Sequence, residues 1–309
     1  MKLYLDLTKP GIALFSIVAA LIGFAVSFPI GESLDVTSLV LFVSGVYLIS
    51  SGAFAVNQAQ EYKIDARMER TKNRPIARGA LLPLQGYLIG LLLIAGGSLF
   101  LVLVKPLVAI IGLSIVLLYN VFYTMWWKRS SPFGVIPGAI PGALPVTLGY
   151  AVNADDLLSP QSVYLFLVLF LWQMPHFWCL SIRYSEDYQK GGIPVMPVVM
   201  GVPRTLYFVG LYTFAYIGVA LVAPWFVESK VMFFALILPM CFWLLFEFYR
   251  YFKQMNLQIL NTKNNTGIVA DKFAWLRFFL FTNLSVIVFS SAPAIERWLQ
   301  FIYYVHVGV

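Results

Sequence analysis

Nine stretches of the chain are apolar over the length a bilayer requires: residues 12–30, 36–56, 87–104, 106–124, 133–151, 160–182, 205–226, 231–249 and 276–295. A helix needs about 20 predominantly apolar residues to cross the hydrocarbon core, so each run predicts one transmembrane helix. The third and fourth runs are separated only by Lys105 and Pro106. Polar residues collect between the runs, and two long polar segments, 57–86 and 183–204, each follow an even-numbered span. The pattern predicts an all-α polytopic bundle forming one membrane domain over residues 1–309.

Composition agrees with the pattern. The chain is 60% hydrophobic and 11% charged with a mean hydropathy of +0.82, whereas soluble domains carry about a quarter charged residues. Charge then orients the bundle, because Lys and Arg in short loops are retained in the cytoplasm. Placing the N-terminus, 57–86, 125–132, 183–204 and 250–275 with Arg277 inside collects 18 of the 21 Lys and Arg residues, leaving Lys105, Lys230 and Arg297 outside. The N-terminus is therefore expected in the cytoplasm and the C-terminus outside. The first apolar run has full span length, lacks a small-residue cleavage pattern and follows no Arg- and Ser-rich transit segment, so it is expected to stay in the mature protein.

The same bias accounts for the net charge of +7. With no soluble basic domain to hold it, no nucleic-acid partner is implied. Cys179 and Cys241 lie inside apolar runs and read as small hydrophobes, not as a metal or disulfide pair. The sequon-like "NNT" at 264–266 falls in a loop assigned to the cytoplasm and carries no weight.

Candidate chemistry sits at the inner ends of two spans. In "NQAQEYKID", residues 57–65, a second helix continued past Val56 would stack Asn57, Glu61 and Asp65 on one face, since they recur every four residues. Two carboxylates and an amide are oxygen donors of the kind Mg²⁺ takes when it bridges to a phosphate. Arg67, Arg70, Lys72, Arg74 and Arg78 follow and supply positive charge for a multiply charged phosphate. Metal and arginines together make a diphosphate site. From spacing alone, a solvated loop of acids paired with neighbouring cations is the commoner origin of such a pattern, and both carboxylates are expected within reach of water. The loop "RYSEDYQKGGIPVMPVVMGVPR" at 183–204 again places acids and bases at the inner end of an apolar helix, four spans on. That recurrence suggests an internal repeat.

Two spans carry further signals. In "SPFGVIPGAIPGALPVTLGYA", Pro137, Pro141 and Pro145 lie four apart and are expected to free the carbonyls of Phe133, Pro137 and Pro141. Such a helix lines a cavity or packs in protein, and Gly134, Gly138 and Gly142 permit close approach. In "LWQMPHFWCLSIRYSEDY", Gln173 and His176 are polar groups inside an apolar span, with Trp172, Phe177 and Trp178 around the histidine. Intramembrane ionisable residues are functional candidates by default, although a lone histidine is commonly a satisfied core residue.

The stretches "NQAQEYKIDARMERTKNRP", "YNVFYTMWWKRSSPFGVIPGAIPGALPVTLGY" and "FLWQMPHFWCLSIRYSEDYQKGGIPVMPVV", with the opening "LTKPGI", together resemble the protoheme IX farnesyltransferases (heme O synthases), a branch of the UbiA-type intramembrane prenyltransferases. The resemblance runs from Leu7 to about Gly201 and more loosely through "KFAWLRFFLFTNL". It implies a bundle of nine helices opening at the cytoplasmic face of a bacterial or archaeal cell membrane. Farnesyl diphosphate and heme B would be the substrates, heme O and diphosphate the products, and Mg²⁺ the cofactor. Besides the lipid bilayer, heme A synthase or terminal-oxidase assembly proteins are the partners it implies. Carried over by position, Asn57, Glu61 and Asp65 match the first metal–diphosphate motif, Arg70 and Arg74 its basic extension, and Lys128 and Arg129 a second basic motif. His176 and Asp187 match the third stretch, with Trp172 beside the histidine as a heme contact. Arg183 and Gly191 stand where a paired-aspartate pattern would place acids, so the second metal site rests on Asp187.

The chemistry so implied is ionisation of an allylic diphosphate, with metal and arginines neutralising the leaving group. The cation would be lined by aromatic rings drawn from Tyr119, Tyr123, Trp172, Trp178 and Tyr184. A heme vinyl would attack it, and water would quench the resulting cation. Two other readings stay open: an intramembrane prenyltransferase acting on a hydroxybenzoate, naphthoate or chlorophyllide, and a secondary transporter. Carboxylates at the cytoplasmic boundary, away from the midplane, argue against transport.

Overall fold

The structure is a computed structural model that describes residues 2–226, 230–264 and 273–307, with side chains over 3–226, 230–260 and 273–303. Among these residues, nine helices are long and apolar enough to cross a membrane: α1 Pro10–Ser27, α2 Val36–Asp65, α3 Pro83–Val104, α4 Pro106–Ser130, α5 Val135–Asn153, α6 Pro160–Arg183, α7 Met196–Leu221, α8 Phe233–Leu260 and α9 Ala274–Tyr303. The protein is a multi-pass membrane protein. Short helices at Lys2–Thr8 and Ser185–Gly191 precede α1 and α7. The "NNT" stretch lies outside the described side chains.

Local chemistry sets several ends. Asp35 caps α2, its carboxylate accepting from the backbone N–H of Thr37 at 2.9 Å and of Ser38 at 3.2 Å. The Ser38 hydroxyl, donating to the same carboxylate at 2.7 Å, and then these backbone bonds hold that carboxyl below the usual range. Lys105 is extended and Pro106 opens α4, so two residues suffice to reverse the chain. Helix α7 begins at Met196, well before the predicted residue 205, because it runs through a break at Gly201 (φ 79°, ψ 165°).

The prolines of α5 act differently from the expectation. The helix starts at Val135, so Pro137 lies in its first turn, where an N–H has no partner to lose, and the Phe133 carbonyl accepts from Ile136 N–H at 2.9 Å. Only Pro141 and Pro145 are interior, and α5 remains continuous.

Two apolar cores build the bundle. One joins α5 to α9 with part of α1; the other joins α1 to α5. Their shared helices, α1 and α5, approach so closely at Gly23 and Gly149 that a side chain at either would strike the other helix's backbone. A cavity opens along this junction, and the candidate chemistry gathers at one end of it.

Candidate functional site

Helix α2 does continue to Asp65, and Asn57, Glu61 and Asp65 fall on one buried face, at 3%, 2% and 1% exposure. This corrects the expectation that the carboxylates meet water. Burial of an ionised carboxylate requires a partner, and each has a basic one. Lys128 Nζ donates to both oxygens of Glu61 at 2.7 and 2.8 Å; Arg74 Nη1 donates to both oxygens of Asp65 at 2.8 and 2.7 Å. Asn57 Nδ2 donates to Glu61 at 3.2 Å and to Thr124 Oγ1 at 3.1 Å.

Helix α4 is shaped for this arrangement. Its segment Leu118–Trp127 is π-helical, and the widened turn directs Asn120 and Thr124 at α2. Asn120 Nδ2 donates to the Ala53 carbonyl at 2.9 Å, and Gln60 Nε2 to the Asn120 carbonyl at 3.0 Å. The loop after α2 folds back because Thr71 Oγ1 donates to the Asp65 carbonyl at 2.9 Å. That turn delivers Arg74.

The remaining predicted residues lie around this centre. Asp187 accepts from the backbone N–H groups of Glu69 and Arg70, both at 3.1 Å, so it ties the loop after α2 to the helix before α7. Arg70 turns toward the same helix: Nη2 meets Tyr188 Oη at 3.3 Å and the guanidinium lies 5.4 Å from the Tyr184 ring. Arg129 is exposed and reaches only the Gln60 carbonyl, at 3.4 Å. No three carboxylate, histidine or cysteine side chains converge among the described residues.

Sequence reasoning gave no role to Lys9. It is the one non-glycine residue at positive φ among the described residues, at 49°, and it ends the short helix before α1. Its amine lies 5.7 Å from the Phe54 ring. Burial pushes the amine from its ordinary 10.5 down to about 7, helped by repulsion from Arg74 and opposed by Asp65 and Glu61. The signal in the sequence was a lysine directly before a proline at the start of the first span.

Below the ion pairs lies a cavity of about 320 Å³ with mostly apolar walls. Phe54 of α2, Tyr119 and Tyr123 of α4, and Trp172, Gln173 and His176 of α6 line it. The glycines of α5 make room for these side chains: a Cβ on Gly138 would strike the Tyr123 ring, and one on Gly142 the Gln173 carboxamide. His176 is sandwiched by rings, with Trp172 at 4.8 Å and Phe279 of α9 at 4.9 Å. Its Nδ1 and the Trp172 Nε1 are buried without a partner. Trp178 and Tyr184 stand apart from the cavity. Trp178 is fully buried against Phe208 and Tyr212, and Tyr184 packs on Arg70 and Arg183.

The family model of the UbiA prenyltransferase family matches residues 14–262. Over 300 residues the chain is 46% identical to a protoheme IX farnesyltransferase of Bdellovibrio bacteriovorus, covering 96% of this chain and 97% of the relative. Among solved structures it resembles a digeranylgeranylglyceryl phosphate synthase at a TM-score of 0.70 and 16% identity, covering 95% of this chain and 97% of that one. It also resembles a UbiA homolog from Archaeoglobus fulgidus bound to GPP and Mg²⁺, at a TM-score of 0.62 and 14% identity, covering 94% and 99%. At such identities the two structures show the fold.

Proposed function

The chain belongs to the UbiA prenyltransferase family, and we propose that it transfers the farnesyl group of farnesyl diphosphate to a vinyl group of protoheme IX (heme B) with addition of one water, giving heme O and diphosphate. The observation that carries this reading is the 46% identity to a protoheme IX farnesyltransferase over nearly the whole of both chains. The geometry supports it. A charged end suited to diphosphate adjoins an apolar, aromatic cavity suited to an isoprenoid chain.

The donor set fits Mg²⁺, a hard cation that prefers oxygen ligands. Glu61 and Asp65 would hold it, with the Asn57 amide oxygen beside them, and the ion would neutralise charge on the phosphates. In the structure these carboxylates are occupied by Lys128 and Arg74. Substrate binding then becomes an exchange of partners, in which the two cations turn from the carboxylates to the diphosphate. Charge developing on the leaving group meets cations already in place, so little reorganisation is needed as the carbon–oxygen bond breaks. Tyr119 and Tyr123 line the cavity beyond, where their rings would stabilise the allylic cation. Asp187 and Arg70 hold the loop that delivers Arg74.

His176 and Trp172 would hold the porphyrin. The imidazole Nδ1 is sealed without a partner, and a turn of the side chain toward the cavity it lines would let it ligate iron or meet a ring substituent. The N-terminus and the charged end would face the cytoplasm.

Mass spectrometry of hemes extracted from a heme-O-deficient cell expressing this chain tests the reaction: heme O should appear, and its absence alongside a farnesylated quinone precursor would overturn the acceptor. For His176→Ala, heme binding should fall while affinity for farnesyl diphosphate holds. Equal loss of both, with a lowered melting temperature, would make His176 a core residue.

A further inference from the structure

Gln173 breaks the apolar character of the cavity wall. Gln173 is half-buried; a carboxamide taken out of water carries a penalty unless its polar atoms are satisfied, and one half of this one is. Nε2 donates to the Ala139 carbonyl on α5 at 2.9 Å and to the Leu169 carbonyl on its own helix at 3.0 Å. Both amide hydrogens are thereby used, which fixes the plane of the group and leaves its oxygen able only to accept. That oxygen accepts from no described residue, yet it is not among the sealed, unpartnered polar atoms, so it is open to the cavity that Gln173 lines. Gly142 provides its room: a Cβ there would stand 2.8 Å from the amide carbon. One turn along the same helical face is His176.

The reaction proposed above needs an acceptor of this kind. The farnesyl carbon–oxygen bond breaks with its electron pair leaving on diphosphate, and the vinyl π pair forms the new carbon–carbon bond. This leaves a cation on the vinyl carbon attached to the ring. Capture by a water lone pair forms the hydroxyl, and the proton lost from that water passes through further water to the released diphosphate, a base the reaction itself supplies. Without a held water, the same cation loses a neighbouring proton and ends as an alkene. We infer that Gln173 holds the capturing water, its carboxamide oxygen accepting one O–H so that the lone pair faces the porphyrin rim beside His176. The inference rests on protoheme IX being the acceptor.

The test reads the product and not the rate. Purified wild type with heme B, farnesyl diphosphate and Mg²⁺ should give mainly the hydroxylated porphyrin by mass spectrometry. Gln173→Met keeps the length and loses the acceptor, so the ratio of hydroxylated product to the product lighter by one water should fall about tenfold, the effect of a modest loss in one barrier. Gly142→Ala keeps Gln173 but displaces its carboxamide, and should move the ratio the same way. A merely structural bridge between α5 and α6 would lower melting temperature and turnover in both variants with the product ratio unchanged, and that result would overturn the inference. A wild type that farnesylates another acceptor and no porphyrin would instead remove the reading beneath it.

Discussion

Buried carboxylates stand at both ends of this bundle, and they are held in opposite ways. At one end Glu296 of α9, 4% exposed, accepts from three backbone N–H groups at the start of α8: Lys230 at 2.8 Å, Val231 at 2.9 Å and Met232 at 2.9 Å. At the other, Glu61 and Asp65 are held by the side-chain cations of Lys128 and Arg74. Backbone donors cannot leave without unwinding a helix. A lysine or arginine can turn away by rotating a few side-chain bonds, and it carries a charge that a diphosphate can use. Both arrangements satisfy a buried acid, but only the second can be exchanged for a ligand. Side-chain cations alone do not mark a functional acid, since Glu247 of α8, 3% exposed, lies 3.7 Å from Arg250 and 3.6 Å from Arg277; Glu61 and Asp65 differ in adjoining the cavity that Phe54 of their own helix lines.

The largest expected effect breaks the exchangeable end. Glu61→Ala or Asp65→Ala should lower farnesyl transfer about a hundredfold or more, the scale seen when transition-state charge loses its stabilisation. Asp65→Ala should also destabilise the fold, because it strands Arg74. The arginine side chain is 24% exposed and can rehydrate, so the cost should be about 1–2 kcal/mol, below the range for a fully buried pair. Turnover at saturating Mg²⁺ and thermal melting of the purified protein check the two parts, and near-normal turnover would sink the metal assignment.

Next in size is Arg74→Lys. Lysine can still neutralise Asp65 but offers a point charge where diphosphate needs a planar fork, so the KM for farnesyl diphosphate should rise about tenfold with the fold intact. Unchanged KM would mean that Arg74 stays on Asp65 throughout. Glu296→Gln sharpens the contrast from the opposite end. Losing charge-assisted bonds there should lower stability by about 2 kcal/mol while kcat of the folded protein stays within about twofold. A selective loss of kcat would erase the distinction between the ends.

The sequence made one side of this comparison readable. Full-length apolar runs gave the spans, and a four-residue spacing sufficed for the face of Asn57, Glu61 and Asp65, because both depend on local periodicity. Partner choice was not local. That Lys128 reaches Glu61, that Thr124 braces Asn57, and that Lys9 joins the charges all depend on how α1, α2 and α4 pack, including a π-helical widening that no spacing announced. Pro137 was misread for a related reason: its effect depends on where α5 begins, which is set by the turn at Gly134. Glu296 drew no attention, since its donors are backbone groups of a segment distant in sequence.

The smallest effect concerns Lys9, which shares the exchangeable end without holding either carboxylate among the described ion pairs. Burial favours its neutral form and brings its titration to about 7. A bound diphosphate favours the charged form and raises that value again. Above about pH 7, binding must therefore be accompanied by proton uptake at Lys9, so affinity should fall as pH rises, by at most about tenfold per pH unit. Lys9→Arg keeps the charge at every accessible pH and should lose this part of the dependence, leaving only the titration of diphosphate itself. Calorimetry of inorganic diphosphate with Mg²⁺ at pH 8, in two buffers of different ionisation enthalpy, counts the protons taken up. Wild type should take up more than Lys9→Arg. Equal uptake would place the Lys9 amine outside the field of the bound phosphates, and the exchangeable end would then consist of the two ion pairs alone.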